Sequence, residues 1–120
     1  MFGLKKVVVP TLDINEAYQQ YLDDPDSIMI INVDELIDYD ERHIADSENL
    51  PFRIIKKFED YFPDKTKKYY IYSIGAGKAY NSAKTIIKMG YDAYELSSYI
   101  QFKGDEEGLS VKKKRRKKRR

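Results

Sequence analysis

The chain is 120 residues long, with 42% hydrophobic and 13% aromatic residues, enough for one ordinary domain and too short for two, which argues against both a wholly disordered chain and a disulfide-stapled miniprotein. It contains no cysteine, which excludes disulfides, thiolate metal sites and every cysteine nucleophile. The net charge of +2 joins two unlike parts: residues 112–120 are nine consecutive Lys/Arg, leaving 13 of the 22 basic side chains against 20 acidic ones in residues 1–111, a net −7.

No apolar run is long enough to span a bilayer, and residues 1–6 lack the apolar stretch and cleavage site of a secretory leader. A cytoplasmic location is expected, or a nuclear one in a eukaryote. Val7, Val8 and Val9 form a β-branched run ended by Pro10 and predict a first strand. Asp13 then stands as an N-cap with Glu16 three residues on, and Ile14, Ala17, Tyr18, Tyr21 and Leu22 recur at helical spacing until Asp24-Pro25. The nearly continuous apolar run 28–33 has the signature of a strand buried on both faces of a parallel sheet. A short helix over 36–41 and a weak strand over 48–50 follow. Ile54, Ile55, Phe58, Tyr61 and Phe62 mark another helical face, stopped by Pro63.

Residues 69–72 predict a second buried strand, which runs directly into Ser73, Ile74, Gly75, Ala76, Gly77 and Lys78. A helix follows, with Ala79, Ala83, Ile86 and Ile87 on one face and Gly90 as terminator, and then a strand over 93–96. Alternating strands and helices predict an open α/β domain with a mostly parallel sheet of about five strands flanked by helices. Ligand crevices in such folds lie at the carboxyl ends of the strands, where the loop 73–78 falls. A glycine-bearing loop ahead of a helix can turn backbone N–H groups and the helix dipole toward a small anion, with Lys78 adding a full charge. The same glycines also serve a plain tight turn.

Gly77-Lys78 does not make a nucleotide-binding P-loop, because Tyr72 and Ala79 stand where that motif needs Gly and Ser/Thr. Nor does Ser73 sit in a Gly-x-Ser-x-Gly elbow, and His43 is the only histidine available as a base.

Two blocks resemble the rhodanese-like sulfurtransferase domain over roughly residues 6–104. Residues 31–51 are similar to I-D-V-R-E-x-x-E-Y-x-x-G-H-I-x-G-A-x-N-I-P, with Glu35, Tyr39, His43, Ile44, Asn49 and Pro51 identical. Residues 71–78, with the later Gly90-Tyr91, resemble V-Y-C-x-x-G-x-R-S…G-Y, which puts Ser73 at the catalytic cysteine position and Lys78 at the loop arginine. The resemblance implies sulfur transfer through a cysteine persulfide held in the loop. A serine hydroxyl is far less acidic than a thiol and forms no persulfide. Asn32, Asp34, Asp46, Ala76 and Ser97-Ser98 depart from the family's Asp, Arg, Gly, Gly and Gly-Gly as well. These accumulated departures predict a naturally inactive member with no catalytic residue, metal or cofactor; the alternative is an active enzyme of the rhodanese class. His43 is expected to be structural, as the family's His-Ile pair packs near the sheet.

The fold is expected to end by Gly104, giving a domain over 1–104 and a linker with polybasic tail over 105–120. Lys112, Lys113, Lys114, Arg115, Arg116, Lys117, Lys118, Arg119 and Arg120 predict salt-sensitive binding to a polyanion such as nucleic acid or the ribosome. The alternatives are a solubilising tail, a localisation signal, or self-interaction with the acidic body. No aromatic residue interleaves the block, so base stacking is not indicated. Nothing in the sequence names a protein partner.

Overall fold

The apolar run at 28–32 forms the strand that organises the molecule. In the computed structural model, which describes residues 6–75 and 77–111, β1 (Thr11–Leu12), β2 (Ile28–Asn32), β4 (Glu48–Asn49), β5 (Lys68–Tyr72) and β6 (Asp92–Leu96) build one sheet in the order β1-β6-β5-β2-β4. Every pairing in it is parallel. The sheet is therefore the expected five-stranded parallel α/β core, and β2 and β5 lie side by side at its centre.

Successive strand residues point to opposite faces. Ile28, Ile30, Tyr70 and Tyr72 meet Ile14 and Ala17 of helix α1 (Ile14–Asp23) on one side. Ile31, Tyr69 and Ile71 meet Phe58 of α3 (Phe58–Tyr61) and Ala83 and Ile86 of α4 (Lys78–Lys88) on the other. Each fully buried isoleucine in these layers contributes on the order of 2 kcal/mol. Asp13 caps α1 as expected, its Oδ2 accepting from the Asn15 and Glu16 N–H groups at 3.1 and 3.0 Å. Gly90, at φ 99°, ends the turn after α4 in the left-handed region, where a side chain is costly.

Three elements differ from the sequence expectation. The first strand lies beyond Pro10 rather than at the valine run: the Pro10 carbonyl accepts from Glu95 N–H at 2.9 Å and only Thr11 and Leu12 pair with β6, while Val8 is 75% exposed. The helical face at 54–62 is split into a 3-10 stretch (Phe52–Lys57) and α3, with a non-helical kink at Ile54. A further 3-10 turn, Tyr99–Gln101, follows β6.

The segment read from sequence as a linker after Gly104 is held against the domain. β7 (Glu106–Glu107) pairs antiparallel with β3 (His43–Ile44), which follows α2 (Leu36–Glu41). The Ala45 N–H donates to the Asp105 carbonyl at 2.9 Å, and the Leu109 and Ser110 N–H groups donate to the Asp40 and Glu41 carbonyls at 2.9 and 3.0 Å. Ala76 of the loop and the basic residues 112–120 lie outside the described residues. Among the described residues, no helix is long and apolar enough to cross a membrane.

Candidate functional site

The pairing of β2 with β5 sets the site. Asn32 stands opposite Tyr72, so the chain leaving β2 and the loop leaving β5 emerge together, joined by Val33 N–H donating to the Tyr72 carbonyl at 3.0 Å. The loop then turns into α4 at Gly77, whose φ of 85° is left-handed.

The loop's N–H groups have a partner from within the chain. Ile74 N–H donates to Asp34 Oδ2 at 2.8 Å, and Gly75 N–H to Asp34 Oδ1 at 3.3 Å. Asp34 is buried, with 3% of its surface exposed. Asn32, fully buried, donates from Nδ2 to Asp34 Oδ2 at 3.0 Å and accepts the Asp34 N–H on its own Oδ1 at 2.9 Å. Asn49 Nδ2 ties the group together, donating to Asn32 Oδ1 and the Asp34 carbonyl, each at 2.9 Å. The Ser73 hydroxyl turns back on the loop itself, donating to the Gly75 carbonyl at 2.5 Å.

Beside the loop opens a cleft of about 410 Å³, lined by Asp34, Asp38, Glu41, Arg42, Ile74, Gly75 and Lys78. Lys78 lines this cleft together with three carboxylates and Arg42. Of the loop residues, Ile74, Gly75 and Lys78 line the cleft, and Ser73 and Gly77 are not among its lining.

A second polar system joins the end of β5 to β3. Tyr72 accepts the Ile44 N–H on its hydroxyl at 2.9 Å and lies 3.0 Å from Ser47 Oγ, which donates to the Ile44 carbonyl at 2.7 Å. Burial pushes the Tyr72 phenol up to about 12. His43 stacks on Tyr39 with ring centroids 3.7 Å apart, its Nδ1 lies 2.6 Å from the Tyr39 carbonyl, and its Nε2 lies 3.3 Å from Glu107 Oε1. The histidine is therefore engaged on both ring nitrogens and joins β3 to β7.

Solved structures share the fold. A Bacillus halodurans protein superposes with a TM-score of 0.74 at 22% identity, over 84% of this chain and 78% of that one. The rhodanese-like domain of an Anabaena protein gives a TM-score of 0.70 at 17% identity, over 86% and 82%. A rhodanese with anions from E. coli gives 0.60 at 18% identity, over 68% and 99%. The chain has the rhodanese-like fold. No family model and no curated protein matches its sequence.

Within the rhodanese-like fold, several departures acquire local reasons. Asp46 stands at φ 70°, a left-handed position that suits the Gly of the resembled pattern and that Asp tolerates better than most residues. Ser97 Oγ accepts the Ile14 N–H at 2.9 Å, and Ser98 Oγ accepts the Ile100 N–H at 3.4 Å. What sequence reasoning missed is that Asp34 reaches the loop. The available signal was a paired change, Asn for Asp and Asp for Arg two residues apart, which exchanges a donor and an acceptor together.

Proposed function

We propose that the chain is a catalytically silent rhodanese-like binding or regulatory module that attaches to a polyanion, nucleic acid or the ribosome, through Lys112 to Arg120. The observation that carries the silent reading is the state of the loop: the residue in the nucleophile's place is Ser73, its hydroxyl is hydrogen-bonded back to Gly75, and two loop N–H groups are spent on Asp34. A serine there gives a sulfane sulfur no carrier, and no cysteine elsewhere in the chain can take over. A small external anion at residues 73–78 competes with the Asp34 carboxylate for the same donors. The tail supports the second half of the proposal through its nine adjacent cations, whose attraction for phosphates is independent of sequence and weakens with salt.

Two measurements test it. Incubated with thiosulfate and cyanide, the protein is expected to form no thiocyanate above background. Turnover that Ser73→Ala abolishes would establish the competing reading, an active enzyme of this class. On RNA and duplex DNA, the full chain is expected to bind with affinity that falls steeply as salt rises, and truncation after Val111 to remove most of that binding. Equal affinity of the two chains would refute the tail as the attachment point.

A further inference from the structure

We propose that Asp34 is an internal anion that occupies the Ile74 and Gly75 N–H groups at the start of the loop after β5 and so closes them to small oxyanions such as sulfate or phosphate. This goes beyond the loss of the thiol: a loop can lack a nucleophile and still bind anions, whereas this one already holds its own.

Both carboxylate oxygens are used. Oδ2 accepts from Ile74 N–H and Asn32 Nδ2 at 2.8 and 3.0 Å, and Oδ1 accepts from Gly75 N–H at 3.3 Å. Successive N–H groups ahead of a helix favour negative charge, and here that charge comes from the end of the neighbouring strand. Asp34 is also aimed before it meets the loop. Its N–H is fixed on Asn32 Oδ1, its carbonyl accepts from Asn49, and Asn49 holds Asn32 in turn. The side chain has therefore already lost the freedom that an external ligand would still have to lose. An oxyanion approaching through the cleft meets Asp38 and Glu41 as well as Arg42 and Lys78, so the attraction of the two cations is offset by two further carboxylates. As a tethered and already aimed group, Asp34 competes with external anion intramolecularly.

Amide resonances of the uniformly 15N-labelled full chain, titrated with sodium sulfate at constant ionic strength, read the loop separately from the tail, whose cations also bind sulfate. In the wild-type chain the Ile74 and Gly75 amides are expected to show no saturable shift, and in Asp34→Ala the same two amides are expected to shift saturably. A saturable response in the wild type overturns the proposal, as does a folded Asp34→Ala chain whose loop amides stay silent. Should Asp34→Ala fail to fold, Asp34→Asn, which keeps an oxygen for Ile74 N–H but no charge, is expected to respond, and silence there counts equally against it. None of these outcomes depends on thiocyanate formation, so failure here and failure of the silent-module reading are distinguishable.

Discussion

Asn32 has no exposed surface, and each end of its amide has a definite partner. Oδ1 accepts from Asp34 N–H and Asn49 Nδ2, and Nδ2 donates to the Asp34 carboxylate. Asn32→Asp would restore the residue of the resembled pattern and yet set a second carboxylate against the first at 3.0 Å with a donor lost. The expected cost is about 2–4 kcal/mol at neutral pH. Urea unfolding of the variant beside the wild-type chain checks this, and an unchanged midpoint would contradict it. Residues 32 and 34 were both visible in the sequence as departures, but their joint role was not. The contact with Ile74 spans 40 positions and exists only once β2 and β5 pair.

Among the elements, legibility followed length. β2 and β5 each hold four consecutive apolar or aromatic residues, and α1 and α4 repeat their buried positions over ten or eleven residues, so each announces itself by pattern. β1, β3 and β7 have two residues each, too few to show alternation, and their existence depends on the edge they meet. The docking of 105–111 turns on Gly108. Its φ is 137°, and a Cβ there would strike the Glu41 backbone carbonyl. Gly108→Ala is therefore expected to release this segment while the parallel sheet survives. Hydrogen exchange should show Ala45, Leu109 and Ser110 amides losing protection with β2 and β5 unchanged, and retained protection at Leu109 would disprove it.

At the scale of the molecule, the 11 tyrosines make stability sensitive to alkali. Burial pushes Tyr69 on one face of the sheet and Tyr72 on the other up to about 12. Above pH ~10 the unfolded chain releases these protons and the folded one keeps them, so stability is complete below that pH and falls between ~10 and ~12. For Tyr72, which is 1% exposed, the loss is roughly 3 kcal/mol. The urea midpoint is expected to drop over that window, and less steeply in Tyr72→Phe; identical slopes would exclude Tyr72 as a source. The overall division into an acidic body and a basic end was plain in the sequence, but not how the two are joined. Leu109 and Ser110 are fastened to the last turn of α2, whose Asp38 and Glu41 line the cleft. The nine residues beyond Val111 can reach no farther than roughly 30 Å even at full stretch. A polyanion held by them, as proposed, would be leashed beside the mouth of the cleft, so that a weak contact made there would act as an intramolecular one.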